Sequence, residues 1–206
     1  MALTHLSARP APLDRAFTLI ELLVVTALVV IISTVVLADN NRFGGVVQLE
    51  DLAYNIALSI RQAQVYGISV ARFQSGIFSA GYGVHLDSSP GNATSYVLFA
   101  DVYPTPPDGM FEPSDGELVS MTAISGGYQI EKLCAPAGSD EATCTAVSSL
   151  DILFKRPDPD AWISVSGFSC LLGNTCASNA RIVLLSPRGD TMSVLVYANG
   201  QISVQK

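Results

Sequence analysis

The chain has 206 residues, 49% of them hydrophobic and 14% charged, with a formal net charge of −7. That length fits about one globular domain with additional segments, and so apolar a balance excludes a disordered chain. The acidic excess also argues against nucleic acid as a partner, because polyanion binding needs clustered Lys and Arg, whereas Arg42, Arg61, Arg72, Lys132, Lys155, Arg156, Arg181, Arg188 and Lys206 are scattered.

Residues 1–16 are polar, with Arg9 and Arg15 outweighing Asp14, and from Phe17 to Ala38 the sequence FTLIELLVVTALVVIISTVVLA is almost wholly apolar. A run of about 20 such residues spans a bilayer as a helix. Basic residues before it and Asp39 after it predict a cytoplasmic amino terminus and an exported remainder. A secretory signal peptide does not fit, since its apolar core is typically about 7–15 residues and is followed by the cut. A plain single-span anchor accounts for the hydropathy but not for Glu21, because an ionisable group inside a membrane costs on the order of 2.5 kcal/mol or more unless it is paired or reaches the interface.

The run Ala16-Phe17-Thr18-Leu19-Ile20-Glu21-Leu22-Leu23-Val24-Val25 resembles the cleavage and methylation motif of type IV pilins and type II secretion pseudopilins. The resemblance implies that residues 1–16 are a leader and that a membrane aspartyl peptidase cuts between Ala16 and Phe17 and methylates the new amine of Phe17. It also implies that Glu21 pairs with the terminal amine of a neighbouring subunit during assembly. Such a pair in a low-dielectric filament core would fix axial register. Ala16 stands where the family usually has Gly, and it is still small.

Beyond residues 17–38, the segment 39–67 reads as the amphipathic continuation of the helix. Leu49, Leu52, Ala53, Ile56, Ala57, Ile60, Ala63 and Gly67 recur at helical intervals with Gln48, Asp51, Asn55, Ser59 and Gln62 between them. No proline interrupts Phe17 to Tyr66, so no proline kink is expected. Gly44-Gly45 is the expected bend or melting point, and the helix is expected to end near Gly67.

Residues 68–206 read as a β-rich head. Strands are expected at Ile68–Phe73, Gly81–Leu86, Ser95–Ala100, Tyr128–Leu133, Leu150–Lys155, Ala161–Val165, Ala180–Leu185 and Met192–Ala198, with Asn199-Gly200 turning a hairpin into Gln201–Val204. The fold class is therefore α+β, with an antiparallel sheet folded over the amphipathic half of a long amino-terminal helix. The segments AYNIALSIRQAQVYGISVARF, GYGVHL and RIVLLSPRGDTMSVLVYANGQISV resemble the heads of H-type minor pseudopilins and their pilus counterparts.

Four cysteines, Cys134, Cys144, Cys170 and Cys176, allow three connectivities. Pairing between sequence neighbours is favoured and places the head in an oxidising compartment. Zinc is the rival reading, but it prefers two-residue cysteine spacings and histidine partners, and the two histidines are His5 and His85.

One acidic stretch contains Asp101, Asp108, Glu112, Asp115 and Glu117, and calcium binds oxygen-rich loops of this kind. Tyr103, Thr105 and Pro106 occupy the places where an EF-hand needs its third and fifth ligands and its glycine. The prolines point to a rigid surface loop with solvated carboxylates, so no cofactor is expected, with calcium on this loop as the minor alternative. Nor does a hydrolase constellation emerge: there is no G-x-S-x-G elbow, and His85 sits in a strand without an evident partner, which reads as a surface residue.

The family resemblance implies a non-catalytic structural subunit, a minor pilin or pseudopilin of a type IV pilus or type II secretion filament. Its implied partners are other pilin-like subunits, the prepilin peptidase, the inner-membrane assembly platform and membrane lipid. The implied location is the inner membrane in a single pass, with the head in the periplasm or on an extracellular filament. Two alternatives stand beside it. A DNA-uptake minor pilin needs exposed basic residues at a filament tip, and an adhesive or major pilus subunit would be abundant in purified filaments.

Overall fold

The computed structural model describes residues 17–69, 71–73, 80–102 and 107–206, with the backbone alone at residues 38–43. The leader 1–16, including Ala16, lies outside the described residues. The chain divides into two compact units, Met1–Phe43 and Gly44–Lys206. Among the described residues the element order is one helix, α1 (Leu19–Ile68), followed by ten strands, an α+β fold.

In the first unit, α1 starts at Leu19, just after Thr18. The Leu22 N–H bonds the Thr18 carbonyl at 3.2 Å. Leu19–Leu37 has a mean hydropathy of 2.8 and is exposed throughout, long and apolar enough to cross a membrane.

In the second unit the helical residues follow the expected periodicity. Leu49, Ala53, Ile56, Ile60 and Ala63 are fully buried, one stripe at alternating intervals of four and three. Gly44 and Gly45 are helical, so the chain does not melt there. The helix also runs on to Ile68, with Ser69 N–H still bonding the Val65 carbonyl at 2.9 Å. The strand expected at Ile68–Phe73 is therefore corrected: its first residue is helical, and of the rest Ser69, Ala71, Arg72 and Phe73 belong to no named strand. Gly67 serves close packing, because a Cβ there would collide with the Phe154 carbonyl.

The head contains two five-stranded antiparallel sheets, not the single sheet expected. In the first, β1 (Gly81–Asp87), β2 (Ser95–Asp101), β3 (Leu118–Ala123), β6 (Ser149–Phe154) and β7 (Ala161–Val165) are ordered β3-β2-β1-β6-β7. In the second, β4 (Gln129–Cys134), β5 (Ala146–Val147), β8 (Asn179–Leu185), β9 (Thr191–Tyr197) and β10 (Ile202–Gln205) are ordered β10-β9-β8-β4-β5. The main core joins the helical stripe to one face of each sheet, including Val84, Leu98 and Ile152 from the first and Ile130, Ile182 and Val194 from the second. The Gln64 amide, itself buried, donates to the Pro159 carbonyl at 2.9 Å and the Gly200 carbonyl at 3.1 Å. Tyr128 Oη donates to the Gly45 carbonyl at 3.0 Å.

The opposite face of the first sheet carries a second small core of Val97, Phe99 and Leu153, packed with Phe111, Trp162 and Leu171. Period-two alternation places His85, Val97, Phe99, Asp101, Asp151 and Leu153 on this face. Gly83 is the cross-strand partner of both Phe99 and Leu153. The segment after residue 106 lies over this face, with Gly109 at a φ of 80° and hard against Leu171 and Leu153.

The carboxyl hairpin forms as expected between β9 and β10. Its loop contains Ala198, Asn199 and Gly200, since Gly200 N–H bonds the Tyr197 carbonyl at 2.8 Å and Tyr197 N–H bonds the Gln201 carbonyl at 2.9 Å. Gly200 at a φ of 80° takes the left-handed position that such a three-residue loop requires. Both disulfides join sequence neighbours: Cys134–Cys144, Cα atoms 5.6 Å apart, and Cys170–Cys176, 4.7 Å apart.

Candidate functional site

At the amino end of α1, Thr18, Leu19, Ile20 and Glu21 match the pattern of a helix capping box. Thr18 Oγ1 accepts the Glu21 N–H at 3.3 Å, which satisfies one of the donors a helix start leaves unpaired. Glu21 thus sits in the first turn of a helix whose next acidic residues come after the apolar run. A negative charge there suits the positive end of the helix dipole. Phe17, Leu19 and Ile20 around it are exposed. The capping role of Thr18 was readable from the T-x-x-E spacing.

The acidic stretch departs from expectation. Asp101, Asp108 and Glu117 are buried, at 2%, 4% and 0% exposure, so the expected solvated surface loop is corrected. Asp101 ends β2 on the outer face of the first sheet, opposite Gly81, and the segment 107–117 covers it.

Backbone donors answer some of these oxygens. Gly109 N–H donates to Asp101 Oδ2 at 3.1 Å and Met110 N–H to Asp108 Oδ1 at 3.0 Å. Glu117 takes Val102 N–H on Oε1 at 2.9 Å and Glu112 N–H on Oε2 at 3.2 Å. Asp101 Oδ1 and Glu112 Oε2 are buried with no hydrogen-bond partner. Asp115 stands apart, exposed, and accepts from Ser114 Oγ at 2.9 Å.

The electrostatics follow from this crowding. Burial, reinforced by the charges of Glu117 and Asp108, pushes the Asp101 carboxyl up to about 7 against the pull of the Gly109 and Asp108 N–H groups. Burial, then the charges of Asp108 and Glu117 and a side-chain hydrogen bond to Glu117, pushes Glu112 up to about 8. Among the described residues no three His, Cys, Asp or Glu side chains already converge in metal-binding geometry. The loop Ser169–Leu171 holds the segment from the other side, with Ser169 Oγ donating to the Asp108 carbonyl and Leu171 N–H bonding Ser169 Oγ at 3.2 Å.

His85 is also corrected. It is paired and largely buried, with Nδ1 2.7 Å from Asp151 Oδ1 and side-chain exposures of 23% and 4% for the two residues. The two are cross-strand partners of β1 and β6. Phe111 N–H donates to the same Asp151 oxygen at 3.2 Å, and the Phe111 ring lies 5.4 Å from the imidazole. Burial lowers the His85 pKa, but the hydrogen bond and charge of Asp151, with that of Asp87, more than offset it and raise it overall. The signal sequence reading passed over is Asp151 itself, a lone acid in the apolar strand SLDILF.

The structure leaves the amino-terminal motif and the carboxylate cluster as separate features of separate units. Compared with known protein families, curated proteins and solved structures, the chain matches none.

Proposed function

We propose that this chain is a non-catalytic structural subunit of a type IV pilus or type II secretion filament, a minor pilin or pseudopilin. In this reading the chain is cut between Ala16 and Phe17 and methylated on Phe17, and it assembles with other pilin-like subunits through its apolar helix. The observation that carries it is the fully exposed apolar face of Leu19–Leu37 with a single carboxylate, Glu21, in its first turn. A membrane accounts for the apolar surface, and a neighbour's terminal amine accounts for the carboxylate. The two disulfides suit an exported head.

Intact mass and amino-terminal sequencing of the protein from its host, with and without the prepilin peptidase, test the proposal. The expected product begins at methylated Phe17 and disappears without the peptidase. An uncut chain beginning at Met1, or a cut after Ala38, overturns it.

A further inference from the structure

The strand β3 is an open border of the head with a hollow on each of its faces. It ends the order of the first sheet and is exposed along its whole length, so alternate N–H and carbonyl groups on its free side meet no strand among the described residues. The other edges offer less. β5 has two residues and β10 four, and β7 is bordered by a loop, where Ala177 N–H bonds the Ile163 carbonyl at 3.1 Å and Val165 bridges to Phe168. The β3 sequence LVSMTA contains neither proline nor a charged residue, the usual devices that keep another strand off an edge. Its irregularity falls beside Leu118, and Ser120–Ala123 pair with β2 in regular register.

Register sets what each face presents. Met121 lies opposite Val97 and Leu118 opposite Phe99 on the outer face, while Thr122 lies opposite Tyr96 on the inner face. Leu118 and Met121, 49% and 63% exposed, line a hollow of about 450 Å³ with Val97, Phe111 and His85. On the inner side Thr122 and Ala123 border a groove of about 600 Å³ against the helix, where Asp51, Asn55 and Gln62 stand. We propose that β3 accepts an extended strand of a partner protein that alternates apolar and basic side chains. Its apolar residues enter the hollow beside Met121, and a basic residue reaches across the groove to Asp51. Main-chain bonds to the edge hold such a strand, and the two hollows select its side chains. The choice of charge follows from the linings, which contain the carboxylates Asp51 and Asp87 and, among the described residues, no Lys or Arg. A second copy would bring its own net charge of −7 to this border, which repels it. The proposal does not rest on the filament reading.

The test uses the full-length protein in a neutral detergent and the fluorescent-labelled peptide Lys-Val-Lys-Leu-Lys-Val, blocked at both ends. Anisotropy is expected to show saturable binding below about 1 mM. Hydrogen exchange is expected to slow by about tenfold at the amides of residues 118–123 when the peptide is bound. The peptides Glu-Val-Glu-Leu-Glu-Val and Lys-Val-Lys-Pro-Lys-Val are expected to bind about tenfold more weakly, the first by charge and the second by a lost main-chain donor. In the protein, Met121→Lys on an exposed side chain is expected to weaken binding about tenfold, and Asp51→Asn about threefold, the worth of an exposed ion pair. Circular dichroism checks that both variants are folded.

Absence of binding overturns the proposal, as does binding that leaves exchange at residues 118–123 unchanged or that a folded Met121→Lys retains in full. Equal binding of the acidic peptide, or of the basic one by Asp51→Asn, overturns the choice of a basic strand. Self-association that protects the same amides and is lost in Met121→Lys assigns the border to a second copy and overturns the partner.

Discussion

The ring of Phe99 lies directly over Gly83 of the neighbouring strand, so close that a Cβ on Gly83 would stand 2.6 Å from Cζ and 2.8 Å from the Ile152 carbonyl oxygen. The outer face of the first sheet is thus built around the missing side chain. The aromatic ring fills the place of one, and Phe111 and Leu171 close over it.

Gly83→Ala is expected to destabilise the head by about 1–3 kcal/mol, the usual cost of overpacking, because both the ring and the strand backbone would have to shift. Chemical denaturation of the two proteins measures it. A neutral effect would show that the ring has room to move.

The His85–Asp151 pair predicts a pH dependence. The folded pKa of His85 is raised above its ordinary value near 6.5, so the stabilisation is fully present below about pH 6.5 and is lost as pH rises through the folded value. Melting curves across pH 5.5–8.5 should show a decline to which the raised Asp101 and Glu112 carboxyls also contribute, and His85→Gln should make it shallower without abolishing it.

Gln64→Leu strips the Pro159 and Gly200 carbonyls of their shared donor. Leaving buried acceptors unmet costs about 1–3 kcal/mol, while the apolar volume is nearly preserved. Urea denaturation is expected to show that loss, and an unchanged midpoint would mean that water replaces the amide.

Opening the Cys134–Cys144 bridge by changing both residues to Ser is expected to cost about 2–3 kcal/mol, from the entropy of a loop closed over a separation of 10 residues. Thermal melts of the double variant under oxidising conditions check this without disturbing the Cys170–Cys176 bridge.

Glu21→Gln removes the charge of this side chain and leaves the capped backbone in place. Under the proposed function, cleavage at Phe17 continues while incorporation into filaments falls at least tenfold, and Thr18→Ala weakens the helix start by about 1 kcal/mol. Normal incorporation of Glu21→Gln would remove the charge from the assembly argument.

Local patterns were legible where one rule governed them. The helical stripe Leu49 to Ala63, the strand Ala161–Val165 and the carboxyl hairpin follow from periodicity and turn chemistry alone. Leu118–Ala123 was not recognised as a strand. It is an edge strand exposed along its whole length, so its sequence shows no alternation of buried and open positions. At Ile68 the β-branched residues favoured a strand, but the helical hydrogen bonds of the preceding turn prevailed.

The carboxylate cluster and the His85 pair depend on contacts distant in sequence. Asp151 meets His85 only once the register of β1 with β6 is set, and Asp101 is buried only once the segment 107–117 has folded across the sheet. No local window contains either event.

The double hold of Gln64 has a further consequence for how the head comes apart. One amide on the helix grips the turn before β7 and the loop of the last hairpin, so that hairpin cannot peel away without also freeing the helix from its anchor. In hydrogen exchange, the protected amides of β9 and β10 and those of α1 around Gln64 should therefore open together as one cooperative unit, although they are separated by more than half the chain.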